Sequence, residues 1–149
     1  MYIKNALVIL LSLFSFSLFS QIKVSDVSNY KQKVDSALYL IKRYDEVKYN
    51  MVVKYCKNID YIIGTSSTTF PPNTIVINTK DLKINSITNI SSLIVHESYH
   101  LFVYNEKILI DPKLEEFRAY NYELDFLNQL PVVEPWIIRH VEKMIEVYR

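Results

Sequence analysis

The 149-residue chain carries 17 basic and 16 acidic side chains, a single cysteine and a single glycine. That length holds one compact domain around one core. The near-neutral charge leaves no electrostatic footprint for nucleic acid or an anionic membrane surface, and one cysteine excludes an intrachain disulfide.

Residues 1–20 combine Lys4 near the front, an apolar stretch from Ala6 to Phe19 and a small Ser20 ahead of Gln21, the pattern of a secretory signal peptide. Ser12, Ser15 and Ser17 interrupt the stretch and make it shorter than a usual membrane span, so cleavage near Ser20 is expected in place of a lasting anchor. The segment takes away only Lys4 and leaves sixteen basic against sixteen acidic side chains in residues 21–149, expected to form a single domain and to act as a monomer. The product is expected in a periplasm or outside the cell. With no disulfide available, its stability must come from an aromatic-rich core, and Cys56 is expected to be a small buried member of it.

Over residues 24–41, Val27, Tyr30, Val34, Ala37, Leu38 and Ile41 recur at three- and four-residue steps and predict an amphipathic helix. Val47, Met51, Val52 and Tyr55 predict a shorter one over 45–56, with no proline or glycine to mark the break between the two. Branched and aromatic residues over 59–63 and 74–77 flank the polar stretch TSSTTFPPN and predict a two-stranded hairpin. Pro71 and Pro72 suit its connection or a sheet edge, and Gly64 marks a bulge or the start of the turn. Residues 78–89 read as a polar, turn-rich link. A helix over 91–104 follows, capped by one of residues 89–92, with Leu93, Ile94, Val95, Leu101, Phe102 and Val103 distributed all round it. Such a helix is usually the buried centre of its domain. Asp111 and Pro112 provide a cap and first-turn proline for a helix over 113–130. A last helix over 136–148 carries Trp136, Val141, Met144, Ile145 and Tyr148 on one face. The expected class is α+β: a mostly helical domain with a small antiparallel sheet or hairpin ahead of the central helix.

That central helix contains two of the chain's three histidines, in the signature His96-Glu97-Ser98-Tyr99-His100. Residues four apart share a helical face, so both imidazoles reach one tetrahedral metal. Glu97 points about 100° away, beside the metal, where a general base acting on water belongs. A catalytic zinc needs a third protein ligand. The metzincin pattern would place a histidine where Glu106 stands and a glycine where Val103 stands, so that class is excluded. His140 lies far along the chain near the apolar face of the last helix, where a hydrogen-bonded structural histidine is the commoner occupant.

Better candidates are Glu115 and Glu116, an acidic pair that an ordinary first helical turn would also explain. Counting about 100° per residue from Leu114 puts Phe117, Tyr120, Leu124 and Leu127 near 270°, Glu116 near 200° and Glu115 near 100°. Glu116 is therefore the expected ligand, at the edge of the packed face, and Glu115 is expected to point toward solvent. Glu123, on the stripe of Glu116, is expected either to hydrogen-bond a ligating histidine or to hold Arg118 or Lys113 at the surface.

His96-Glu97-x-x-His100 followed by Glu116-x-x-Ala119 on the next helix resembles the glutamate-zinc peptidases, or gluzincins. The resemblance covers roughly residues 74–127. It implies a zincin-like fold in which His96, His100 and Glu116 bind Zn2+, Glu97 activates water, and small Ala119 lets the two helices approach. It also implies a sheet-edge strand ahead of the motif helix, here residues 75–77, along which an extended substrate adds.

The expected activity is metal-assisted hydrolysis of a peptide or protein substrate, amide bonds of cell-wall peptides included, with Glu97 passing a proton from water to the leaving amine. Tyr99, Tyr120 and His140 are all available as oxyanion donors, and no spacing singles one out. Two other readings exist. A zinc-stabilised binding module would close the site with a fourth protein ligand, Asp111 or His140; a metal-free helical module would pack the histidines in its core.

Overall fold

The computed structural model describes residues 22–26, 30–64 and 66–149, so the expected signal segment lies outside the described residues. Among those residues the order is β1 (Lys23–Val24), α1 (Tyr30–Tyr44), α2 (Glu46–Tyr55), β2 (Asn58–Ile62), β3 (Thr68–Phe70), β4 (Thr74–Asn78), α3 (Thr79–Ile84), α4 (Ile87–Asn105), α5 (Pro112–Leu127) and α6 (Pro135–Tyr148). The chain is α+β, as its patterning implies. No helix among the described residues is long and apolar enough to cross a membrane.

Among the described residues the first helix runs from Tyr30; residue 24, expected to open it, is instead in a strand, with Lys23 and Val24 paired to Asn58 and Ile59 as a parallel edge, and Val27 lies outside the described residues. The break between α1 and α2 needs neither proline nor glycine. Asp45 leaves helical geometry and its carboxylate accepts the Lys48 backbone N–H at 2.9 Å, capping α2. Lys48 is itself buried. Its ammonium reaches Asp45 at 3.0 Å and Asp125 at 2.5 Å and lies over the Tyr122 ring, tying α2 to α5.

The sheet corrects the expected hairpin. Its order is β1-β2-β4-β3; β2 and β4 run parallel with Ile59 opposite Ile75, and β3 runs antiparallel to β4 with Thr69 opposite Ile75. The hairpin therefore joins β3 to β4 through Pro71 and Pro72, and β2 lies on the other side of β4. Thr68 and Thr69, read from their polarity as turn, are β-branched and pair readily in a strand. β4 is consequently an inner strand, with Ile75, Val76 and Ile77 buried. The sheet edge nearest the motif helix is β3, not residues 75–77. Gly64, at φ +89°, turns the chain out of β2.

The polar link after β4 contains α3, capped by Asn78, whose side chain accepts the Lys80 N–H. α4 begins four residues earlier than its apolar pattern suggests, because Ser86 supplies the cap. It packs against α1, α2, α5, β3 and β4 at the centre of the molecule. Ile90, Ile94, Val95 and Leu101 are fully enclosed there, each burial worth roughly 1.5–3 kcal/mol. Asp111 and Pro112 open α5 as expected, the aspartate accepting the N–H groups of Lys113 and Leu114. α6 buries Ile137, Val141 and Ile145, while Trp136 stays exposed. Cys56 is fully buried, and burial pushes its thiol up to about 12.

Candidate metal centre

α4 and α5 bring His96, His100 and Glu116 together, with one ligand atom from each within 4.8 Å of the others. The two Nε2 atoms are 3.2 Å apart. Glu116 reaches His96 Nε2 at 3.6 Å with one oxygen and His100 Nε2 at 3.7 Å with the other. A tetrahedral zinc with bonds near 2.05 Å separates its ligand atoms by about 3.3 Å. The two Nε2 atoms stand at about one such edge, and Glu116 spans them with one oxygen toward each. Two imidazole nitrogens and a carboxylate are also a donor set that suits zinc better than calcium or magnesium.

Both histidines are oriented from behind. His96 Nδ1 meets Glu123 Oε2 at 3.1 Å, and His100 Nδ1 meets Glu115 Oε1 at 2.7 Å. A carboxylate only accepts, so each Nδ1 carries its proton and donates. Both Nε2 atoms then face Glu116, and in the metal-free chain His96 shares a proton with that carboxylate where a cation would take its place. Carboxylates behind ligating histidines are the usual arrangement of zinc sites.

The helices explain these pairings. His96 faces Glu123 and His100 faces Glu115, so α4 and α5 run antiparallel across the site. Glu116, Ala119, Tyr120 and Glu123 form the α5 stripe along it, and Ala119 is completely buried. Of the two roles open to Glu123, the structure shows contact with a histidine; the residue is only 7% exposed. Glu115 is corrected from its solvent-facing expectation. It lies in the first turn of α5, directly across from His100, where a flexible side chain reaches sideways beyond its nominal helical phase. Its short contact with His100 had no separate sequence signal.

Glu97 is 6% exposed and lines the cleft with His96 and His100. Burial holds its carboxyl above the ordinary glutamate range, the histidine charges pull it back, and Glu116 and Glu123 push it up again. On His96 burial opposes the charge, but contacts with Glu116 and Glu123 outweigh it and raise the imidazole to about 10. Glu116 is held below its usual value chiefly by His96.

Of the three suggested oxyanion donors, Tyr120 is at the site. Its ring centroid is 4.3 Å from that of His96, and the ring also stacks with Tyr148. Burial pushes its phenol up, so it stays protonated and can donate. Tyr99 packs against Phe102 and Tyr122 instead. His140 is exposed at the rim of the larger cavity beside the site, and Asp111 caps α5. Neither belongs to the three-residue cluster. Comparison with known protein families, curated proteins and solved structures gives no match for this chain.

Proposed function

We propose that the protein is an exported zinc-dependent peptidase in which His96, His100 and Glu116 hold the metal and Glu97 is the general base. The observation that supports this reading is the convergence of one ligand atom from each of His96, His100 and Glu116 to within 4.8 Å of one another. Zinc held by these ligands supplies Lewis acidity and an attacking water whose ionisation falls in the neutral range. Glu97 takes that water's proton and delivers it to the departing amine nitrogen. Its burial raises its basicity for that task.

Tyr120 donates to the oxyanion as the carbonyl becomes tetrahedral. The substrate backbone adds along β3, the edge strand beside the centre, whose Thr68 and Thr69 line the cleft. Peptides and proteins, cell-wall peptides included, present the amide such a site cuts. The pattern of residues 1–20 supports export to a periplasm or beyond.

The test is metal analysis of purified residues 21–149 together with a peptide-cleavage screen. One zinc per chain is expected, with cleavage lost on chelation and restored by zinc. Cleavage that persists after complete metal removal, or a chain that takes up no metal, contradicts the proposal.

A further inference from the structure

Resting on the peptidase reading above, we infer that the cleft selects polypeptides with acidic side chains about three residues from the bond being cut, bound by Lys80 and Lys83. Beside the centre lies a cavity of about 1190 Å³ that runs along α4 from His96 and Glu97 back to Ser92 and Asn89. The step from Asn89 to His96 covers roughly 10 Å of helix, at about 1.5 Å per residue. An extended chain spans that distance in about three residues, at about 3.3 Å each.

The far end of that cavity is where α3 presents its lysines. α3 stops at Ile84 and α4 starts at Ile87, so the last turn of one and the first turn of the other share the wall. The helix is held firmly. Leu82 is buried, the Asp81 carboxylate accepts from Ser67 Oγ at 3.0 Å and Asn85 Nδ2 at 3.4 Å, and Lys33 of α1 donates to the Leu82 and Asn85 carbonyls at 2.5 and 2.9 Å. Lys80 and Lys83 share one face of it, line the cavity and are exposed, and neither ammonium has a partner among the described residues.

The carboxylates lining the same cavity are Asp81, Glu97 and Glu123. Asp81 is turned to Ser67 and Asn85, Glu123 to His96, and Glu97 is buried at the centre. The charge left facing the outer end is therefore that of the two lysines. Around the histidines the sign is opposite, because Glu115, Glu116 and Glu123 contact them and Glu97 lies beside them. An acidic side chain is thus disfavoured next to the reacting bond and favoured further out, within the range of about 10 Å over which exposed charges act at 0.1 M salt. Attraction at one place combined with repulsion at another is what produces selection.

The experiment uses zinc-loaded residues 21–149 and decapeptides of alanine and leucine, blocked at both ends. Each carries Glu-Glu, Gln-Gln or Lys-Lys at its second and third positions or at its eighth and ninth, and mass spectrometry locates the cut. At about 20 mM salt, Glu-Glu at one of the two places is expected to lower KM about fivefold relative to Gln-Gln with kcat little changed, the size of a few exposed ion pairs. At about 0.5 M salt the difference is expected to shrink below about twofold.

Both lysines are exposed, so their replacement leaves the core untouched. Lys80→Glu with Lys83→Glu is expected to reverse the preference toward Lys-Lys, and Lys80→Gln with Lys83→Gln to abolish it without reversal. Calorimetry on zinc-loaded Glu97→Gln gives a readout independent of turnover: the favoured Glu-Glu peptide is expected to bind about fivefold more tightly than its Gln-Gln counterpart. Cleavage with equal KM for all three pairs at both places, or a Glu-Glu preference that survives the double reversal, overturns the acidic selection and leaves the hydrolytic reading intact. Binding of Glu-Glu peptides that depends on Lys80 and Lys83, with no cleavage of any peptide, supports the acidic site and overturns the peptidase reading. Absence of both overturns both.

Discussion

His96 stands between two carboxylates, Glu123 at 3.1 Å from Nδ1 and Glu116 at 3.6 Å from Nε2, and these positions imply different roles. Glu116→Ala removes a proposed metal ligand and is expected to abolish tight zinc binding. Glu115→Ala and Glu123→Ala remove only the groups that orient His100 and His96, and each is expected to weaken zinc binding about 10–100-fold. Competition titration with a fluorescent zinc chelator measures all three; equal losses contradict the division of roles.

The same geometry fixes a pH dependence. The raised value of about 10 means that folded, metal-free chain keeps the His96 proton well above the unfolded value of 6.5. The stability it contributes to that form is full below pH 6.5 and disappears as pH rises through 10. Zinc must displace this proton. Apparent zinc affinity is therefore expected to rise by about tenfold per pH unit over that interval, beyond any change in the competing chelator. A flat profile between pH 7 and 9 contradicts it.

Much of this residue-level picture was legible from spacing. The four-residue step between His96 and His100 puts both on one face of α4, and helical phase separates Glu116 from Glu115. Phase alone missed the contact between Glu115 and His100, because it gives the direction of a Cβ and not the reach of a glutamate across to the neighbouring helix.

At the scale of elements, what was legible follows periodicity and what was not follows pairing. α4 and α6 carry apolar patterns that place them without knowledge of their neighbours. The sheet does not: residues 59–63 and 74–77 look like strands in isolation, but whether they pair parallel or antiparallel depends on Thr68–Phe70, whose threonines also suit a turn. The extra helix α3 escaped for a related reason. Its six residues are too few to show a helical period, and it is defined by its Asn78 cap.

The end of α4 offers a test at this scale. Lys107 occupies a left-handed position that a side chain disfavours by about 1–2 kcal/mol and that glycine adopts freely. Part of that gain is offset by glycine's greater freedom in the unfolded chain. Lys107→Gly is expected to raise stability by up to about 1 kcal/mol in urea unfolding. A loss of stability would mean that the loop does not close through this cap.

For the whole molecule, the arrangement joins stability to chemistry. The buried core runs through α4, so the helix that carries His96, Glu97 and His100 is also the one most completely enclosed by the rest of the fold. A rigid scaffold of that kind keeps catalytic groups in position. The sole cysteine is a buried thiol, and among the described residues the ties between elements include packing, the buried Lys48 and the carboxylate–histidine contacts between α4 and α5.

In the proposed mechanism Glu97 does chemistry beside a zinc it does not hold. Its most direct test is the rate of peptide hydrolysis by Glu97→Gln, measured at confirmed full zinc occupancy beside the wild-type chain. Unchanged zinc stoichiometry is expected, with a rate lower by about 100-fold or more, the usual contribution of a positioned general base. A fully loaded variant that cleaves at the wild-type rate would contradict it.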